Sequence, residues 1–92
     1  MKPRIIGVES CKNCRRLKKS YENQKVDFEY WDGEKKELQK KLDEMNIDDF
    51  PVVQIIDDNG TVVYPYDQKI YPKGVSYARV KSKIEELKKH GK

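Results

Sequence analysis

The only two cysteines of this 92-residue sequence, Cys11 and Cys14, stand three positions apart. The residues at 5–8 form a β-branched run typical of a buried strand, and beyond residue 10 the apolar spacing becomes that of a helix. Cys11 is therefore predicted to lie at the amino end of a helix, where unpaired N–H groups and the helix dipole favour negative charge. A strand, a CxxC pair and a helix in this order indicate thiol chemistry.

The pattern assigns different roles to the two sulfurs. A thiol reacts as its thiolate, and nearby cations stabilise that form. Lys12, Arg15 and Arg16 add three positive charges immediately after Cys11. We therefore expect Cys11 to be the exposed nucleophile and Cys14, three residues later on the same helix, to be the more buried resolving thiol.

Three helices are expected to position the pair and the rest of the chain, at residues 12–24, at 34–45 and from 77 to about 89. Their apolar residues fall on one face: Cys14, Leu17 and Tyr21, then Leu38, Leu42 and Met45, then Tyr77, Val80, Ile84 and Leu87. Asp32 and Ser76 are the residues expected to cap the second and third helices.

Four strands are expected, around residues 5–8 and at 26–31, 52–56 and 61–64. The second strand alternates, with Val26, Phe28 and Tyr30 predicted to face inward. The last two strands are joined at 57–60 by a turn that ends in Asn-Gly, a strong hairpin signal. The order strand-helix-strand-helix-strand-strand-helix predicts that the first two strands pair in parallel through a right-handed crossover.

Composition limits the classes of protein that fit. Hydrophobic residues make up 36% of the chain and charged residues 39%, and no apolar run is long enough to span a membrane. The first residues lack the apolar stretch of a signal peptide, so we expect a cytoplasmic protein. The net charge of +4 is unevenly distributed. Residues 1–20 carry seven Lys/Arg and one acid, residues 21–68 carry five and thirteen, and residues 69–92 carry eight and two.

The element order, with CxxC after the first strand and Pro51 just before the third, resembles the thioredoxin-like fold. The compact version, from about residue 4 to residue 89, is similar to a glutaredoxin. The resemblance implies one α/β domain over residues 1–92, with a β-α-β-α-β-β-α order and a four-stranded mixed sheet flanked by three helices.

The resemblance also implies a site. In that family the first cysteine is the nucleophile and the second resolves the mixed disulfide, roles that match Cys11 and Cys14. A cis-proline beside the thiols matches Pro51, and it would turn the main chain of Phe50 toward the substrate. The implied substrate-binding residues are Lys12, Asn13, Phe50, Pro51, Gly74 and Ser76. Lys12-Asn13 replaces the Pro-Tyr common in glutaredoxins, and only Gly74 and Ser76 echo the motif that holds the glutathione carboxylate.

The function expected from these residues is thiol–disulfide exchange on a protein disulfide or a glutathione mixed disulfide. The basic first helix favours a partner with an acidic surface. No bound cofactor is expected, and the electron donor is glutathione or a thioredoxin-reductase system. We expect a monomer that binds neither membranes nor nucleic acid.

Two other classes of function remain open from the sequence. The CxxC pair and His90 supply three zinc ligands, one short of a closed site, so a zinc site shared between two chains is one alternative. The other alternative is a nucleic-acid-binding or protein-binding module with non-catalytic thiols. The two basic ends and the six tyrosines of the sequence favour it.

Overall fold

The computed structural model describes the chain over residues 1–90, and its side chains over residues 1–89. Seven elements follow one another in these bounds: β1 (Lys2–Gly7), α1 (Lys12–Asn23), β2 (Glu29–Asp32), α2 (Lys36–Glu44), β3 (Val52–Ile56), β4 (Val62–Pro65) and α3 (Tyr77–His90). This is the predicted β-α-β-α-β-β-α order. Within residues 1–90, no helix has the length and apolar character needed to cross a membrane.

The four strands form one mixed sheet in the order β2-β1-β3-β4. β1 pairs in parallel with β2, and Gly7 lies opposite Asp32 at the carboxyl end of that pair. β3 runs antiparallel to both of its neighbours, β1 and β4. The cysteines follow β1, so they emerge at the edge of the sheet where β1 and β2 end and β3 begins.

The central strands are buried on both faces, which explains their unbroken apolar sequences. Successive residues point to opposite faces of a strand, so Ile5 and Ile6 enter different clusters. Ile5 packs with residues of α1 and α3, including Tyr21 and Ile84, whereas Ile6 packs with Leu42 of α2. Helices therefore cover both faces of the sheet.

Arg4 is a buried charge in β1 that the sequence analysis did not single out, with only 4% of its surface exposed. Its guanidinium donates from Nε to Glu29 Oε1 over 3.1 Å and from Nη2 to the carbonyl of Gly60 over 3.0 Å. Nη1 lies 3.4 Å from Gln54 Oε1, and Cζ lies 3.9 Å from the centre of the Trp31 ring. The strand tolerates this charge because its donors are satisfied and a carboxylate balances it.

The predicted boundaries of the second helix were wrong. α2 begins at Lys36, and its N-cap is Lys35, which makes no side-chain capping bond. Asp32 instead ends β2, and its Oδ1 accepts a hydrogen bond from the Glu34 amide over 2.9 Å. Met45 follows the last helical residue and is 36% exposed, so it does not continue the buried stripe.

Three strands also differ in their bounds from the prediction. β1 spans Lys2–Gly7 rather than residues around 5–8. β2 spans Glu29–Asp32 rather than 26–31, although Val26, Phe28 and Tyr30 do pack against the core. β4 begins at Val62, because the turn before it is longer than a two-residue hairpin loop. The Gly60 amide donates to the Asp57 carbonyl, and Asp57 Oδ1 accepts from two further amides of the turn. The Asp57 side chain thus holds the turn together.

Candidate active site

Cys11 is the N-cap of α1, as predicted. Its backbone is extended, with φ −87° and ψ 116°, and its sulfur accepts a hydrogen bond from the Cys14 amide over 3.3 Å. The Cys11 carbonyl accepts the first helical hydrogen bond, from Arg15. The sulfur is therefore held against the unpaired amides of the first turn, at the positive end of the helix dipole.

Cys14 lies inside the protein, whereas Cys11 is partly exposed. Burial, and after it the hydrogen bond with the Cys11 side chain, raise the pKa of the Cys14 thiol to about 12. The two sulfurs thus differ in access as the sequence predicted. Solvent and other molecules reach Cys11 first.

The carboxyl end of β1 has no room for a side chain. A Cβ on Gly7 would lie 2.8 Å from Cys14 Cβ and 3.0 Å from Cys14 Sγ. The same position is 3.1 Å from the hydroxyl oxygen of Tyr30. Gly7 therefore allows α1 and the Tyr30 side chain of β2 to close around the buried thiol.

The loop before β3 lies beside the exposed thiol. The Phe50–Pro51 peptide bond is cis, as predicted, and the Cys11 sulfur is 3.9 Å from the Phe50 carbonyl oxygen. The Phe50 ring packs over Gly33, where a Cβ would lie 2.7 Å from the ring. The Phe50 carbonyl therefore faces the exposed thiol.

Gly74 joins the same group from the loop before α3. It has φ +89°, and a Cβ there would lie 2.5 Å from Leu17 Cδ2 and 3.3 Å from Pro51 Cγ. Only a residue without a side chain fits between α1 and the proline at this backbone conformation. The structure therefore brings Gly74 and Pro51 into contact beside the helix that carries the cysteines.

The remaining predicted substrate-binding residues are less closely connected to the thiols. Lys12 is exposed and Asn13 half-buried in the first turn of α1, so both lie next to Cys11. Ser76 is exposed directly before α3, where its carbonyl accepts from the Val80 amide. Among the described side chains, Ser76 makes no hydrogen bond to the group around Cys11.

Gly7 and Tyr30 border the thiols but were not among the predicted site residues. The signal for Tyr30 was present: an inward aromatic residue on a strand parallel to the one that precedes CxxC. Gly7 offered only its position at the end of the first strand. Its importance depends on the distance between β1 and α1, which the sequence does not specify.

A metal site is not apparent in the described part of the chain. Among the side chains of residues 1–89, no three of the His, Cys, Asp or Glu type are grouped so that they could hold a metal ion. The His90 side chain, named above as a zinc ligand, lies outside the described residues.

Comparison with known proteins defines the fold. No protein-family model matches the sequence, and no curated protein matches it. Among solved structures, the chain is similar to thioredoxin 1 from the thermophilic eubacterium Thermosipho africanus TCF52B, with a TM-score of 0.63 over the whole of both chains. The sequence identity is 20%.

The protein therefore has a thioredoxin-like α/β fold: a mixed four-stranded sheet with three helices. Two cysteines three residues apart lie at the amino end of its first helix. At 20% identity the likeness concerns the fold. Assignment to the glutaredoxin type within that fold stays a prediction.

Proposed function

We propose that the protein is a dithiol–disulfide oxidoreductase. The observation that carries the proposal is the unequal placement of the two sulfurs. Cys11 is partly exposed at the positive end of α1 and beside the Phe50 carbonyl, whereas Cys14 is buried one helical turn later. Dithiol exchange requires this arrangement, because the nucleophile must be open to large substrates and the resolving thiol must be shielded from them.

The reaction proceeds in two exchanges. The Cys11 thiolate attacks one sulfur of a substrate disulfide, forms a mixed disulfide with it and releases the other sulfur as a thiolate. The Cys14 sulfur then attacks Cys11, so that the Cys11–Cys14 bond forms and the bond to the substrate breaks. The released thiolate takes up a proton, the substrate gains two electrons in all, and the protein is left as the disulfide.

The loop before β3 is well placed to hold a substrate chain. The Phe50 carbonyl faces the Cys11 sulfur, and within the described residues the Phe50 amide donates no main-chain hydrogen bond. An extended peptide that contains the target disulfide can pair with these groups as an added strand pairs with a sheet edge. Lys12 and Asn13 follow Cys11 directly and Gly74 lies against Pro51, which supports their assignment as substrate-binding residues.

The exposed charges of α1 favour an acidic partner. Lys12, Arg15 and Arg16 are exposed around the first two turns. Charges of one sign near a site speed the association of an oppositely charged partner, and this effect weakens as salt increases. We therefore propose that the substrate protein presents acidic residues around its disulfide.

A turnover assay on a protein disulfide tests the proposal and identifies the electron donor. Glutathione with its reductase is compared with thioredoxin reductase, each supplying electrons to the reduced protein. We expect activity with at least one donor, none with Cys11→Ser, and mixed disulfides that accumulate with Cys14→Ser. Failure with both donors, or an active Cys11→Ser variant, would contradict the proposal, and equimolar bound zinc would favour the metal-binding alternative.

A further inference from the structure

The buried thiol poses a chemical problem for the second exchange. Cys14 must become a thiolate to attack the mixed disulfide, yet burial favours its neutral form. Its surroundings must therefore supply a group that stabilises negative charge as it develops on the sulfur. An inference about this group rests on the proposed function, because the group is needed only if Cys14 resolves a mixed disulfide.

The Tyr30 side chain extends from β2 toward Cys14. Its hydroxyl oxygen and the Cys14 sulfur both lie within 3.1 Å of one point, the position that a Gly7 Cβ would occupy. Burial raises the pKa of Tyr30, so the phenol keeps its proton at neutral pH and remains a hydrogen-bond donor. The groups whose charges act on it are Cys14, Asp32, Glu9 and Cys11.

A cation also lies over the Tyr30 ring. Lys18 Nζ is 4.5 Å from the ring centre, and Lys18 follows Cys14 by four residues on the same face of α1. The Tyr30 ring therefore extends from β2 and contacts α1, the helix that carries Cys14. This cation–π contact helps to hold the ring in place.

We propose that Tyr30 is a positioning residue for the resolving thiol, donating a hydrogen bond to Cys14 Sγ as that sulfur becomes a thiolate. The Cys14 proton leaves to solvent and a proton returns to the departing substrate sulfur, while Tyr30 keeps its own. The Cys11–Cys14 bond forms as the bond from Cys11 to the substrate breaks. Hydrogen bonds to charged acceptors are stronger than neutral ones, so the contribution is largest in the transition state.

Single-turnover kinetics with a chromogenic aromatic disulfide, dithiobis(nitrobenzoate), separate the two exchanges. Each reduced protein releases one coloured thiolate when Cys11 attacks and a second when Cys14 resolves. We expect Tyr30→Phe to slow the second release about tenfold and to move its pH dependence to higher pH, with the first release unchanged. The substituted ring still contacts Lys18, and a circular dichroism spectrum confirms that the variant folds.

Tyr77→Phe is the matched control, because Tyr77 packs on Tyr21 and has no hydrogen bond to either sulfur among the described side chains. We expect it to leave both releases unchanged. A second release with the wild-type rate and pH profile in Tyr30→Phe would overturn the inference, as would equal slowing of both releases. A wild-type protein that releases only one thiolate would overturn the proposed function, and the inference with it.

Discussion

The Tyr21 hydroxyl of α1 donates a 2.7 Å hydrogen bond to the Val75 carbonyl, which precedes α3. Both residues are buried, with exposures of 0% and 2%. This bond fixes the loop that carries Gly74 to the helix that carries the thiols. A second buried tyrosine, Tyr66, differs in that its hydroxyl has no partner among the described residues.

Replacing each tyrosine with phenylalanine should therefore affect the free energy of unfolding differently at the two positions. Tyr21→Phe leaves the buried Val75 carbonyl without its donor and should lower the free energy of unfolding by about 1–2 kcal/mol. Tyr66→Phe removes a buried group that has no partner, so we expect no loss or a small gain in stability. Urea denaturation measures both. A clear destabilisation by Tyr66→Phe would show that its hydroxyl has a partner after all.

Gly74→Ala should lower the free energy of unfolding more than Gly60→Ala does, although both glycines have positive φ. At Gly60 the nearest atom to a new Cβ is Arg4 Nη2 at 3.5 Å, so the cost is that of the backbone conformation, about 1–2 kcal/mol. At Gly74 the collision with Leu17 adds to that cost, and we expect about 3 kcal/mol in total. Equal losses in thermal or urea unfolding would mean that Leu17 moves aside freely.

Arg4→Lys should be strongly destabilising. A lysine carries the charge but cannot reach Glu29, Gln54 and Gly60 together, and we expect a loss of about 3 kcal/mol. Glu86→Gln serves as the comparison, because its ion pair with Lys83 is partly exposed and should contribute about 0.5 kcal/mol or less. An Arg4→Lys variant as stable as the Glu86→Gln variant would indicate that the buried network is replaceable.

The stability of the reduced protein should fall at alkaline pH because of Cys14. Its pKa is raised from 9.0 to about 12 in the folded state, so between these values the folded state binds more protons than the unfolded state. The stabilising contribution is complete below pH 9 and is lost as the pH rises toward 12, by at most about 1.4 kcal/mol per pH unit.

Cys14→Ala isolates this contribution from other alkaline effects, such as the raised pKa of the buried Tyr21. Unfolding of both proteins is measured under reducing conditions at about pH 8 and about pH 10.5. We expect the wild type to lose more stability over this interval than the variant. Parallel losses would show that Cys14 ionises alike in the folded and unfolded states.

Much of the fold was predictable because local patterns and global packing agree. The change from strand to helix spacing around Cys11 located the site, and the inward positions of Leu17 and Tyr21 were confirmed. The cis peptide at Pro51 followed from the resemblance. The boundaries of α2 were less predictable, because an aspartate such as Asp32 forms a local turn as readily as a helix cap.

Features that depend on distances between elements were not predictable. The burial of Arg4 was not predicted, because it requires acceptors from β2, β3 and the turn at Gly60 to converge on one point. The role of Gly7 depends on how closely α1 approaches β1. The relation of Tyr30 to Cys14 depends on the register between parallel strands, which residue spacing within one strand does not specify.

The shielding of Cys14 has a consequence for oxidation by peroxide. A peroxide from solvent would meet the Cys11 sulfur first and would convert it to a sulfenic acid. The neighbouring Cys14 thiol would then condense with that group, expelling water and closing a disulfide that a reductant reverses. Oxidation would stop at this recoverable stage, whereas a lone exposed cysteine would proceed to the irreversible sulfinic and sulfonic acids.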